Sequence, residues 1–177
     1  PITDERHWRF VWESLVDLQK QLVPLNTQIH IAKGNVTDVF RRISESFDIQ
    51  HLFSHQETGI HLTYQRDIEV GKYCHTHRIS WKEFPQDGVR RKRKNREGWE
   101  EEWKAFMQAP VLEPSWNEVT FIHLPETLKD LFWKKEQAPA WYQVHKDFQP
   151  GGASFGKKYL QSFLHHRIAA YASQLSY

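Results

Sequence analysis

An acid, a hydroxyl and a glycine fall together in His55-Gln56-Glu57-Thr58-Gly59, directly after the apolar segment Ile49 to Ser54, which reads as a strand. Open α/β sheets take ligands just beyond the carboxyl ends of their strands, so this loop is the best-placed candidate site, with Glu57 as its charged group. The competing reading is a polar loop whose Glu57 caps a neighbouring backbone group. A second concentration of chemistry is the run Arg90, Arg91, Lys92, Arg93, Lys94 and Arg96, placed just before Glu100, Glu101 and Glu102. Such a run can contact phosphates, with Arg90, Arg91 and Arg93 as candidate nucleic-acid contacts, and added salt then weakens binding steeply. The favoured alternative is a solvated loop balanced by the three glutamates, because charge runs are most often exposed faces. Trp99 and Trp103 share one helix face and read as core rather than as a platform for stacking bases.

Other chemistries find less support. The 11 histidines include the near neighbours His75 and His77 and the adjacent pair His165 and His166. Adjacent helical positions face different ways, no cysteine joins them, and no His-Glu-x-x-His spacing occurs, so a metal site is not supported. Cys74 stands beside His75, but sequence adjacency is no catalytic dyad, and a small residue on a helix is the simpler reading. No Gly-x-Gly-x-x-Gly and no P-loop motif is present, and no hydrolytic triad can be assembled.

The chain of 177 residues is long enough for one domain with a core and part of another. Aromatic residues make up 14%, including 8 Trp, while mean hydropathy is polar, which implies a core of large rings between charged faces. Formal net charge is only +2, so the basic run is a local feature. A single cysteine excludes an internal disulfide, and no stretch has the length of a membrane span or the shape of a signal peptide. A reducing, soluble, cytoplasmic setting fits these features best. The first residue is Pro1 with no initiator Met, which suggests a fragment.

The elements that must position these groups follow from periodicity. Thr3 or Asp4 can cap a helix carrying Trp8, Val11, Trp12, Leu15, Leu18 and Leu22 on one face, with Pro24 just past its end; it reads as an outer helix covering a sheet. Ile29 to Ala32 reads as a short strand ending at Gly34, and Asn35 caps a helix bearing Val36, Val39, Phe40, Ile43 and Phe47. After the strand Ile49 to Ser54 come a helix over about Thr63 to Cys74 and a strand over Arg78 to Phe84, closed by Pro85. Alternation of strand and helix at these spacings implies right-handed crossovers, parallel pairing and an α/β sheet with helices on both faces. At least one strand is expected before the first helix, which again suggests truncation at the amino end.

Beyond Pro85 the period is lost, apart from a helix near Gly98 to Gln108, and Pro110, Pro114, Pro125 and Pro139 interrupt a connecting region. Phe148-Gln149-Pro150-Gly151-Gly152 then reads as a glycine hinge into an amphipathic helix from Ala153 to Tyr177. Its stripe is Phe155, Tyr159, Leu160, Phe163, Leu164, Ile168 and Tyr171.

The order of these motifs resembles a known family. Arg6-His7-Trp8-Arg9-Phe10 leading to Glu13-Ser14-Leu15 is similar to the helix after the second strand of photolyase and cryptochrome amino-terminal domains. The segment Ile29 to Gly34 with Asn35-Val36 resembles the family's Gly-Asp or Gly-Asn approach to the next helix, and Arg66-Asp67 resembles its Arg-Asp pair. His55 to Gly59, Gln86-Asp87-Gly88-Val89-Arg90-Arg91 and Asn95-Arg96-Glu97-Gly98-Trp99 look like a bacterial subgroup's versions of the intervening loops. Phe148 to Gly152 with Leu160, Phe163, Leu164 and Tyr171 resembles the start of the all-helical flavin domain.

The resemblance implies a Rossmann-like parallel sheet with helices on both faces over residues 1–109, a connecting region over 110–147, and the beginning of an FAD-binding helical domain over 148–177. It implies a light-dependent DNA repair flavoprotein in which reduced FAD passes an electron to a pyrimidine lesion flipped out of damaged DNA. Tyr171 falls on a flavin-contacting position. Glu57 is the candidate residue for an antenna chromophore of unknown identity; where folate-using members carry an Asn-Glu pair, this chain has Leu62 and Thr63. No membrane partner is implied, and the stripe of the last helix offers a surface for self-association. The parent is expected to be a carbon-carbon lyase, with the 177 residues inactive alone. A cryptochrome-like blue-light signalling protein on the same scaffold and a stand-alone α/β nucleotide- or pigment-binding module are the alternatives.

Overall fold

Asp4 starts the first helix as its chemistry requires. Its side chain accepts the Arg6 N–H at 2.9 Å while the His7 ring nitrogen accepts the Asp4 N–H at 3.2 Å, a reciprocal cap that satisfies two of the free donors of α1, Glu5–Leu22. The structure is a computed structural model and describes residues 4–32, 34–86, 88–133, 138–139, 142–143 and 147–171. Thr3, the other cap candidate, and positions 172–177 of the last helix lie outside these residues. Pro24 follows α1 inside a short 3₁₀ turn, Val23–Leu25, closed by Asn26 in the left-handed conformation.

Two compact units emerge: Ala32–Val119 with His123–Phe132, and Pro1–Ile31 with Thr120–Ile122 and Trp133–Tyr177. The first is built on a β-α-β motif. Asn35 caps α2, Val36–Ser44, by accepting the Thr37 N–H at 2.9 Å. Strand β1, His51–His55, leads through α3, His61–Thr76, to β2, Ser80–Phe84, and the strands pair in parallel with His51 opposite Ser80 and His55 opposite Phe84. A helical crossover is what a parallel pair requires. Period-two alternation sends Leu52 and Trp81 toward α3, where they meet Val70, Tyr73, Cys74 and Ile79, joined by Val36, Phe40 and Ile49. Gly71 of α3 faces the Trp81 ring, and a Cβ there would sit 3.4 Å from it, in ordinary contact. Cys74 is a core residue, and burial pushes its thiol pKa up, which fits packing rather than nucleophilic work.

The structure corrects one strand. Ile29 to Ala32 forms no ladder with β1 or β2, and the sheet of the described residues has two strands. The segment's backbone groups are taken elsewhere. The Gln19 side chain accepts the Ile29 N–H at 2.8 Å, Trp133 donates to the Ile31 carbonyl at 2.7 Å, and Ala32 makes a single antiparallel bridge to Phe132. The opposite face of the sheet carries Phe53, Lys82 and Phe84, all exposed. Beyond β2 the chain forms α4, Trp99–Met107, and two 3₁₀ turns, Trp116–Glu118 and Glu126–Leu131, the latter burying Leu128 completely.

In the other unit, α1 buries Trp12 edge-on against Trp133, with ring centroids 5.8 Å apart, while Trp8, Val11 and Leu18 remain exposed. The last helix begins as α5, Ala153–Ser162, and continues through a π-helical segment, Phe163–Arg167, into a 3₁₀ turn, Ile168–Ala170. Its stripe residues Phe155, Tyr159, Leu160, Leu164, Ile168 and Tyr171 stay exposed. No helix of the described residues is long and apolar enough to cross a membrane.

Candidate functional site

Parallel pairing brings the two loops singled out in the sequence to the same end of the sheet, beyond the carboxyl ends of β1 and β2. They are joined at their roots, where the Gln56 N–H donates to the Phe84 carbonyl at 2.8 Å. In the first loop Glu57 works locally. One carboxylate oxygen accepts the Gly59 N–H at 2.6 Å, and the other receives the Arg66 guanidinium at 3.4 Å. A Cβ at Gly59 would lie 2.7 Å from that first oxygen, so a larger residue there would displace the Glu57 carboxylate from its cap. Arg66 also holds its neighbour Asp67 at 2.8 Å, and Asp67 is buried, so the Arg-Asp pair ties the first turns of α3 to the loop. Glu57 therefore caps a backbone group, which is the competing reading of the sequence.

In the second loop the arginines divide by position. Arg91 pairs with Glu83 on β2, and both side chains are largely covered. Arg93, only 17% exposed, donates to Glu102 at 2.7 Å, to the Asn95 carbonyl at 2.8 Å and to the Glu97 carbonyl. Arg90 reaches the same Glu102 at 3.3 Å. The Arg93 hydrogen bond, and then the charges of Arg93 and Arg90, hold the Glu102 carboxyl below the usual carboxylate range. Glu100 instead pairs with Lys104. All three candidate nucleic-acid arginines are thus engaged with carboxylates. Lys92, Lys94 and Arg96 of the same run are exposed. Gly88, in the left-handed conformation, sits over Trp103 and Phe106 of α4, the closest atom 2.8 Å from where a Cβ would be. Trp99 and Trp103 stack on one another and stay partly exposed.

Tyr171 lies in the unit that contains α1 and α5. Its ring stands edge-on to Phe163 at 5.4 Å and is 52% exposed. Nearer the start of the same helix the glycine hinge docks on α1. Glu13 accepts the Gly151 N–H at 2.7 Å, and Asp17 accepts the Ser154 N–H at 3.1 Å, capping α5 from a neighbouring helix. That backbone bond is the main reason the Asp17 carboxyl titrates below its ordinary value. Arg9, buried, lies over the Phe148 ring at 5.4 Å and donates to the Gln149 carbonyl at 3.1 Å. Tyr142 donates to Glu13 at 3.4 Å, and burial followed by the Glu13 charge raises the Tyr142 pKa. A cleft of about 580 Å³ remains between α1 and the aromatic rings of Phe148, Phe155 and Tyr159, a size suited to a small ligand. Its acids, Glu13 and Asp17, already hold the hinge. Among the described residues no group of three or more His, Cys, Asp and Glu is placed to hold a metal ion.

Sequence reasoning missed Glu13 and Asp17 as hinge anchors. The available signal was their spacing of four on α1, which puts both acids on one helix face. Comparison with curated proteins gives no match. The family model of DNA photolyase matches residues 2–94, more than half of the chain, and covers α1, α2, the β-α-β motif, the first carboxyl-end loop and the second as far as Lys94. That match spans the β-α-β core and the Arg66-Asp67 pair that opens onto its first loop, and the chain belongs to the DNA photolyase family.

Proposed function

We propose that the protein is a light-dependent DNA repair flavoprotein, a lyase that uses reduced FAD to split a pyrimidine lesion. The observation that carries this reading is the match to the DNA photolyase family over residues 2–94. It is supported by a glycine hinge locked onto α1 through Glu13 and Asp17. On this reading residues 1–109 are the antenna-type α/β domain, 110–147 the connection, and 148–177 belong to the flavin domain. Reduced FAD, when bound, supplies the electron that opens the lesion.

Tyr171 suits a flavin contact because its ring is half exposed and braced edge-on by Phe163, so a planar ligand can pack against it without displacing the helix. One ring buries little of so large a ligand, and the rest of the pocket must come from other residues. An antenna pigment would meet the loop of Glu57, where Arg66 supplies the neighbouring positive charge.

The test is made on the protein expressed from its complete reading frame, with flavin reduced, in the presence of an oligonucleotide carrying a pyrimidine dimer. Illumination with blue or near-ultraviolet light should restore the undamaged bases, and the dark control should not. Flavin that binds and photoreduces without restoring any dimer would leave the cryptochrome-like signalling reading in its place.

A further inference from the structure

The cleft between α1 and α5 is lined by four charged residues, Arg9, Glu13, Asp17 and Lys20. Two of them answer each other. Arg9 donates to the Gln149 carbonyl at 3.1 Å and lies 3.7 Å from Glu13, and Glu13 in turn accepts the Gly151 N–H and the Tyr142 hydroxyl. Asp17 and Lys20 have no ion-pair partner among the described residues. We propose that this cleft binds a small aromatic zwitterion of the aromatic amino acid type, its ring among Phe155, Tyr159 and Val16, its ammonium on Asp17 and its carboxylate on Lys20. This goes beyond the repair reading and does not depend on it, since Tyr171 is not among the residues that line the cleft.

Spacing on α1 creates the charged pair. Asp17 and Lys20 are three residues apart, so their side chains leave the same face of the helix as neighbours. Asp17 gives one oxygen to the hinge: its Oδ2 accepts the Ser154 N–H at 3.1 Å and the Gln21 amide at 3.3 Å, while Oδ1 has no hydrogen-bond partner among the described residues. A carboxylate has lone pairs for about four bonds, so Asp17 can hold an ammonium and still cap α5. The Ser154 N–H lowers the Asp17 pKa most and the nearby Lys20 charge adds to it, which keeps the acid ionised at neutral pH. The rings come from α5, where Phe155 and Tyr159 are four residues apart, exposed, and both on the cleft wall. Because Glu13 and Asp17 bond the hinge to α1, the rings are held at a set place relative to the charges, and little ordering is left for binding to impose.

The class of ligand follows from what the cleft offers. Aromatic walls and Val16 favour a flat apolar group, and a space of about 580 Å³ is of ordinary small-ligand size. A purely apolar ligand would strip water from Asp17 and Lys20 and give nothing back, which costs binding. A cation alone would answer Asp17 but face Lys20, and an anion alone would answer Lys20 but face Asp17. A molecule that carries an ammonium and a carboxylate on one carbon, with a ring attached, answers the whole lining. Arg9 does not compete for the carboxylate, because it is buried, bonded to the Gln149 carbonyl and laid over the Phe148 ring at 5.4 Å.

The experiment is isothermal titration calorimetry on the protein expressed from its complete reading frame, in the dark and without DNA. It compares L-phenylalanine with 2-phenylethylamine, which lacks the carboxylate, with 3-phenylpropionate, which lacks the ammonium, and with L-alanine, which lacks the ring. L-phenylalanine should bind, and each of the other three should bind about 10-fold more weakly or worse, the usual loss when a charge-assisted hydrogen bond or a buried ring is removed. Lys20→Met keeps the apolar stem and removes the charge. It should weaken L-phenylalanine about 10-fold and leave 2-phenylethylamine no weaker than before, a split that a disturbed fold would not produce. Phe155→Ala should narrow the preference for L-phenylalanine over L-alanine by about 3-fold or more. No binding of L-phenylalanine at millimolar concentration, or an analogue that binds as tightly as the amino acid, would overturn the proposal. So would a Lys20→Met variant that weakens L-phenylalanine and 2-phenylethylamine equally, or a Phe155→Ala variant with the original preference.

Discussion

At Gly151 the absence of a side chain is a structural requirement. A Cβ there would stand 2.1 Å from the Phe10 carbonyl oxygen and 2.8 Å from the Ser14 hydroxyl, and neither backbone can retreat without releasing the Glu13 bond to the Gly151 N–H. Gly151→Ala should therefore cost about 1–3 kcal/mol, the usual penalty for an overpacked site. Gly156 is the internal control. It lies inside α5, and a Cβ there would meet nothing within 4 Å. Removing its excess backbone freedom through Gly156→Ala should add about 0.5–1 kcal/mol. Urea denaturation followed by circular dichroism measures both; two shifts of the same sign would show that the hinge is not docked on α1. The residue scale also explains the basic run. Composition showed six cations before an acidic turn, but which of them would be engaged by carboxylates depended on the bend at Lys92 and the reach of Arg93.

At the scale of elements, caps and strand periodicity were legible in the sequence, and long-range closure was not. Asp4, Asn35 and Pro85 mark the ends of elements by local chemistry alone, and α1, α2, α3, α4, β1 and β2 all lie where periodicity puts them to within a few residues. Ile29 to Ala32 has the composition of a strand, yet a strand is made by its partner, and Gln19 and Trp133 reached its backbone first. The bond between Glu13 and Gly151 joins positions 138 apart, a distance at which periodicity carries no information. The cap that α1 lends to α5 has a pH signature. The Ser154 N–H lowers the Asp17 pKa in the folded chain, so the stabilisation is complete above the unfolded value of about 3.9 and is lost as pH falls through the lower folded value. The gap in denaturation midpoint between the parent chain and Asp17→Asn should be constant from neutral pH to about 5 and close progressively below about 4. A gap independent of pH would show that Ser154 does not read the charge of Asp17.

For the whole molecule, stability is distributed unevenly along the chain. Val70, Tyr73, Cys74 and Ile79 concentrate the buried apolar surface of their unit around α3, with Leu52 and Trp81 of the strands packed on them. From Ala109 to Ser115 the chain has neither helix nor strand, and Val111 and Leu112 are 87% and 90% exposed. An exposed segment with few backbone bonds opens at little cost, whereas the core elements open only at a cost approaching that of global unfolding. Chymotrypsin at low ratio should cut first after Leu112, because the site must be stretched into the protease and this segment offers an apolar side chain on unpaired backbone. Mass spectrometry of the early fragments would then show the pair 1–112 and 113–177 before any cut within α3 or β2. First cleavage at Phe53 would mean that the two-stranded sheet, whose Phe53 face is exposed, is the least stable part of the chain, and would move the core of the fold away from α3.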